Sequence, residues 1–396
     1  MKKKISKYLV IFLCYGVNFI LPILFFKEIS YILSPAVLTS FFFVLALLIY
    51  CQYVVEYGLQ ISLLKKLSNN KLDLSYDISS ILELKILLFI TCSFFLLIIL
   101  TYSNDIIFSI LIIVLLGNVF SCQFLYQVVD RLHFFYIINT ISKIIFIPLI
   151  YIDSNYIYLL ICYSLFNVFP NLISFTMFLY NQRIKLVWVP IETIFILAKE
   201  KFGYFASNIS ITLYTNFYQV LLGVISPSYL AAYALSDKII RGVIAGNYVF
   251  IQIIQVQFLN DESKFLDKIE KILVILFFLG LVESCVIFFG ASFFEVYFFP
   301  KIPMLSDFLK LMSFLVIIIL ISNFFAMVYL PCTGNTHFLS KVFITVSIFS
   351  VISAPLLIYY YAGYGAISAA ILSEMLVLTF CYVFYRKIRY ANNIKY

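Results

Sequence analysis

The chain is 396 residues long, 64% hydrophobic and only 12% charged, with a formal net charge of +8. A soluble domain of this length is about a quarter charged and about half apolar, so a water-soluble globular protein is excluded. The positive balance is not a nucleic-acid footprint, because the basic residues are distributed between apolar runs.

Those runs recur from end to end, each about as long as a helix needs to cross a ~30 Å hydrocarbon core. In chain order they lie near 8–26, 35–63, 84–101, 106–128, 134–152, 155–180, 203–225, 229–258, 270–293, 308–331, 337–361 and 364–385. The expectation is an all-α integral membrane protein of about twelve transmembrane helices. The first run, "YLVIFLCYGVNFILPILFF", is too long for a cleavable signal and lacks a small-residue cleavage site, so it counts as a span. Most Lys and Arg fall at the N-terminus, in the even-to-odd connections or at the C-terminus. The exceptions are Lys27, Lys301 and Lys310 on the other side, and Lys143, Lys238 and Arg241 inside predicted helices. The positive-inside rule therefore puts both termini in the cytoplasm, as an even helix count also requires.

The connection "NQRIKLVWVPIETIFILAKEK" bisects the chain. It divides the sequence into an N-terminal six-helix bundle (1–180), a cytoplasmic linker (181–201) and a C-terminal six-helix bundle (202–396). The amphipathic stretch Ile191 to Lys201 is expected on the membrane surface. Six helices per half make the two bundles parallel repeats. A short echo fits that: Ser142-Lys143 in the fifth span and Ser340-Lys341 in the eleventh lie half a chain apart. The eight cysteines are scattered singly, and the only histidines are His133 and His337, so no metal or other cofactor is expected.

Polar residues inside the spans fall at helical spacing. Gln52, Glu56 and Gln60 line one face of the second span, and Gln123, Tyr126, Gln127 and Asp130 one side of the fourth, with Arg131 following. Asn208, Thr212, Thr215, Asn216 and Gln219 share a face of the seventh. In the eighth, "YALSDKIIRGVIAGNYVF" puts Asp237, Lys238 and Arg241 within a narrow arc that also collects Tyr248, Gln252 and Gln255. Each charge at a helix centre costs ~2.5–3.5 kcal/mol, so three of them must face the bundle interior or a water-filled cavity. With two cations against one anion, this arc has a surplus positive charge, which suits an anionic ligand such as a phosphate. Glu283 in the ninth span and Glu374 in the twelfth complete the set. The candidate substrate-binding residues are thus Lys238, Arg241, Asp237, Asn208, Thr215, Asn216, Gln219, Gln52 and Lys143. Glu283, Glu56 and Asp237 are candidates for ion coupling, and Asp130, Arg131 and Glu374 for gating or structural roles. The plain alternatives are mutual neutralisation of Asp237 and Arg241, and interhelical hydrogen bonding by the Asn, Thr and Gln stripes.

Several stretches resemble one family. "VVEYGLQISL" (54–63) resembles the acidic-aromatic-Gly motif of polysaccharide transporters, and "FLYQVVDRLHFFYIINTISKIIFIPLIYI" (124–152) their segment leading into the fifth helix. "FASNISITLYTNFYQVLLGVISPSYLAAYALSDKIIRGV" (205–243) resembles their most recognisable block, and "YGAISAAILSEMLVL" (364–378) their final helix ending in Glu. The chain is similar to the O-antigen/polysaccharide (Wzx-like) flippases of the multidrug/oligosaccharidyl-lipid/polysaccharide exporter (MOP) superfamily. One departure is the absence of a Gly often found before Tyr233.

The resemblance implies two six-helix bundles of MATE-like fold working by alternating access in the bacterial inner membrane. It implies an undecaprenyl-diphosphate-linked oligosaccharide, for O-antigen or capsule, moved to the periplasmic leaflet, with membrane lipid around it and a polysaccharide polymerase and chain-length regulator as partners. Lys238 and Arg241 would then meet the diphosphate. No phosphate-binding Gly-rich loop appears, so coupling to an ion gradient is expected rather than ATP hydrolysis, and no enzymatic activity. Two rival readings are a multidrug or cation antiporter of the same superfamily and a membrane polysaccharide polymerase. The first would want a net acidic cavity, the second a longer periplasmic loop than the one around "EVYFFPKIPMLSD".

Overall fold

A computed structural model describes residues 2–59, 74–102, 106–129, 131–153, 155–260 and 268–393. Among these the regular structure is entirely helical. The helices are α1 (Lys2–Ile32), α2 (Pro35–Glu56), α3 (Leu74–Tyr102), α4 (Val114–Val119), α5 (Gln123–Val128), α6 (Leu132–Phe146) and α7 (Tyr156–Gln182). They continue with α8 (Ile191–Ile225), α9 (Leu230–Asn260), α10 (Ile269–Phe293), α11 (Leu305–Asn323), α12 (Leu330–Cys332) and α13 (Thr336–Asn393). Short 3-10 turns run over Ile106–Ile113, Pro148–Tyr151 and Pro227–Tyr229, and π-helical turns over Phe294–Phe298 and Phe324–Tyr329. Eight helical stretches among the described residues are long and apolar enough to cross a membrane. One of them, His337–Arg389, covers the last two predicted spans and is broken at Ala362, whose φ of 48° and ψ of −126° are not helical.

Local chemistry sets the ends of these helices. Pro35 opens α2 in the first turn, where its missing N–H is no loss. Asn155 caps α7 by accepting from the Ile157 N–H at 2.9 Å, and Arg183 closes it in the left-handed region at φ 52°. The fourth predicted span is discontinuous: a 3-10 stretch leads into α4, a turn follows at Phe120, and α5 restarts at Gln123. The predicted linker also has a different form from that expected. Residues 184–190 form neither helix nor strand, and Pro190 disfavours the helical region for Val189 before it. The Val187 N–H donates to Ser79 Oγ at 2.9 Å, and the Val189 N–H to Glu83 Oε1 at 3.1 Å. From Ile191 the amphipathic stretch continues without a break into the seventh span as α8.

The chain divides into two compact units, Met1–Thr212 and Leu213–Tyr396. The first has an aromatic core in which Phe25 and Phe26 of α1 meet Phe41 and Phe42 of α2 and Tyr163 and Phe166 of α7. In it, α6 packs between α1 and α7. The second is centred on α11, which packs on α9, α10 and α13. Around the break in α13, a Cβ built on Gly365 would run into the Leu357 carbonyl oxygen. Backbone cannot yield enough to admit it, so Gly365→Val is expected to unfold this corner. Detergent-purified variant should melt several degrees lower or fail to accumulate; an unchanged melting temperature would show that the break is not needed.

Candidate substrate-binding site

The three charges of "SDKIIRG" lie on α9, and the structure gives two of them firm partners. Asp237 is buried, with 3% of its surface exposed. Its carboxylate accepts from Arg241 Nε at 2.8 and 2.9 Å, one helical turn on, and from Gln219 Nε2 of α8 at 2.9 Å. Arg241 Nη2 then donates to the Thr215 carbonyl at 3.0 Å, and Asn216 Nδ2 to Thr215 Oγ1 at 2.9 Å. Thr215, Asn216 and Gln219 are all buried. The polar stripe of α8 and the charged arc of α9 therefore form one network in the second unit. Carboxylate and guanidinium satisfy each other, and the amides fill the remaining acceptor positions. The Arg241 side chain stays 38% exposed. Nothing among the described residues accepts from its Nη1.

Glu374 of α13 joins this network, buried and within electrostatic range of both Arg241 and Asp237. That changes the charge balance. The two cations Lys238 and Arg241 face two anions, so the surplus positive charge expected from α9 alone is cancelled. Lys238, half-buried, is adjacent to Asp237 and within its field. Nearby, the Tyr218 hydroxyl lies 2.8 Å from both Ser350 Oγ and Ser373 Oγ and 3.2 Å from the Ala369 carbonyl, pinning α8 to two parts of α13. Glu283 of α10 does not reach the cluster through any hydrogen bond among the described residues. It accepts from Asn247 Nδ2 of α9 at 2.7 Å.

In the first unit the sequence-predicted residues are dispersed. Gln52 and Glu56 on α2 are half-buried, and Glu56 lies within the field of Lys85. Asn208, on the part of α8 that belongs to this unit, is half-buried, and its carbonyl accepts from Thr212 Oγ1 at 2.9 Å. Asp130 lies outside the described residues. Arg131 is exposed and lines a cleft of about 160 Å³ together with Tyr126, Phe134, Met177 and Asn181. Lys143 is half-buried on α6, its ammonium 5.4 Å from the centre of the Phe166 ring. Its partner in the sequence echo, Lys341, is exposed near the start of α13, so the two lysines do not share an environment.

Lys85 was not singled out from sequence; it is 1% exposed, inside α3. Its ammonium donates to the Asn118 carbonyl at 3.0 Å, the Ser121 carbonyl at 3.2 Å and Ser121 Oγ at 2.8 Å. Of these acceptors, the Asn118 carbonyl also takes the Ser121 N–H at 3.2 Å, whereas the Ser121 carbonyl, at the break between α4 and α5, has no backbone donor among the described residues and in a hydrocarbon environment needs one. Lys85 thus holds the discontinuity of the fourth span together. Asn247 and the Tyr218–Ser350–Ser373 contact were likewise not singled out from sequence.

No protein-family model matches the chain. Over 96% of its length it is 23% identical to the "Putative O-antigen transporter" of Shigella dysenteriae, 98% of which is covered. Among solved structures it resembles the lipid II flippase MurJ in an inward closed conformation. There the TM-score is 0.75 at 13% identity, covering 96% of this chain and 87% of that one. It also resembles an inward-facing multidrug resistance MATE family transporter of the MOP superfamily, with a TM-score of 0.67 at 12% identity over 94% of each chain.

Proposed function

We infer that this chain, a multi-pass membrane protein with the fold of the MOP superfamily, is a flippase for a lipid-linked oligosaccharide. The reading places it in the bacterial inner membrane with both termini in the cytoplasm. There it moves undecaprenyl-diphosphate-linked repeat units to the periplasmic leaflet by alternating access, for a polymerase and its chain-length regulator to extend. The observation that carries this is the end-to-end sequence similarity to an O-antigen transporter, which spans nearly the whole of both chains. The structural likeness to a lipid II flippase supports the same class of cargo.

The network around Asp237 and Arg241 supports a polar interior that an apolar bundle does not need. The Gln219, Thr215 and Asn216 groups beside it are suited to sugar hydroxyls, and the exposed Nη1 of Arg241 to an anionic oxygen. Glu283, Glu56 and Asp237 remain the carboxylates available for ion coupling. The cation-exporter reading is favoured by the likeness to a multidrug transporter, and the charge balance that Glu374 of α13 brings to α9 removes one argument against it.

A host deleted for this gene separates the readings. Complete undecaprenyl-diphosphate oligosaccharide trapped on the cytoplasmic side, with no glycan outside, is the expected result. Single repeat units displayed outside without polymer would establish a polymerase, and intact surface glycan with raised sensitivity to cationic drugs an exporter.

A further inference from the structure

We propose that Lys143 and Asn139 of α6 form an anion-binding point that takes a phosphate of the lipid-linked substrate at mid-membrane. The proposal rests on the flippase reading above and assigns a residue pair to its diphosphate.

Lys143 falls in the middle of the Leu132–Tyr151 span, on the face of α6 that also buries Tyr136, Asn139, Thr140 and Phe146. An ammonium at that depth is costly and persists only where it is compensated or used. Three other buried or half-buried cations of the spans, Arg241, Lys238 and Lys85, are compensated. Arg241 has Asp237 and Glu374, Lys238 has the field of Asp237, and Lys85 has Glu56 and the open end of α4. Lys143 has the face of Phe166 alone, and among the described residues no carboxylate lies within electrostatic range of it.

A second group beside it is also unfilled. Asn139, one turn earlier on the same face, is 7% exposed, and its amide has no hydrogen-bond partner among the described residues. Thr140 is occupied, accepting from Asn18 Nδ2 at 2.6 Å. The open donors are therefore three on the ammonium and two on the amide, beside the amide's own carbonyl oxygen. A metal or organic cation would be repelled by the ammonium. A neutral sugar could satisfy the amide but not the charge. A phosphate, which offers only acceptor oxygens and negative charge, satisfies both. The Phe166 ring holds the ammonium when no anion is present, and a charge-assisted bond to phosphate outweighs that contact.

The test uses the full-length protein in nanodiscs with radiolabelled undecaprenyl diphosphate as the probe and phosphatidylglycerol as competitor. Lys143→Met keeps the length of the side chain and removes a charge rather than stranding one. It is expected to weaken retention of the probe by roughly tenfold or more, with Lys143→Arg within a few-fold of the unaltered chain and Asn139→Ala intermediate. Phosphatidylglycerol at equal concentration should not displace the probe. Equal retention by Lys143→Met and the unaltered chain would overturn the assignment while leaving the flippase reading standing. Displacement by phosphatidylglycerol would overturn it in favour of an ordinary lipid headgroup. No retention by the unaltered chain would remove the flippase reading and this assignment together.

Discussion

Arg241→Ala is expected to abolish surface glycan and to deplete the folded protein from the membrane. The guanidinium is the group that joins the Asp237 carboxylate on α9 to the Thr215 carbonyl on α8, with Glu374 of α13 in its field. Removing it strands a carboxylate whose side chain is 4% exposed. Breaking a buried pair from one side costs ~3–5 kcal/mol, and the partial exposure of Arg241 itself puts this case at the lower end. Against a total stability of ~5–15 kcal/mol that is a large share. Two further variants separate charge from packing. Arg241→Lys should restore part of the thermal stability, because it returns the charge without the two-point geometry. Asp237→Asn combined with Arg241→Ala should be more stable than Arg241→Ala alone, since no carboxylate is stranded on α9. Thermal melting of the detergent-purified proteins reads both. An Arg241→Ala protein with an unchanged melting temperature would mean that the guanidinium does not hold these helices together.

Lys85→Met should be the second severe substitution, and through a different route. The ammonium serves two backbone carbonyls and one hydroxyl at the break in the fourth span. Ser121 Oγ also donates to the Asn118 carbonyl at 2.8 Å, so that oxygen keeps a partner when Lys85 is removed. The Ser121 carbonyl loses the one donor it has among the described residues, and Glu56 loses its countercharge. An unsatisfied buried acceptor costs ~1–3 kcal/mol, and the stranded carboxylate adds to it, for a total of about 2–4 kcal/mol. Lys85→Gln, which can still donate twice, should lose less. Adding Glu56→Gln to Lys85→Met should recover the carboxylate part. Protease protection of the intact membrane protein measures the order; Lys85→Met as resistant as the unaltered chain would show that the break holds without it.

The outline of the fold was legible because a membrane imposes one-dimensional rules. Twenty apolar residues make a span whatever they touch, so the apolar runs could be placed without knowing any contact. The α8–α9 network was legible for a related reason: Gln219, Asp237 and Arg241 lie close in sequence on consecutive helices, and helical spacing aligns each stripe. Contacts from further along the chain were not. Glu374 meets Arg241 across more than a hundred residues, and nothing near either residue signals the other. Lys85 was not legible because its partners lie at the break at Phe120–Cys122, a stretch with neither Gly nor Pro to announce it. Tyr218 is one of 31 tyrosines, so composition hides it. The linker was half legible. Its place between two runs of spans could be read, but the hydrogen bonds that Val187 and Val189 donate to Ser79 and Glu83 reach another helix.

The charge balance around α9 has an electrical consequence. Carrying one net elementary charge through a membrane potential of 100 mV requires work of about 2.3 kcal/mol. Asp237, Lys238, Arg241 and Glu374 sum formally to zero, so displacing them together along the field requires almost none. Repositioning this group of side chains would by itself add almost no voltage dependence to a transport cycle, and any such dependence would have to come from the cargo, from a coupled ion or from charges elsewhere in the chain.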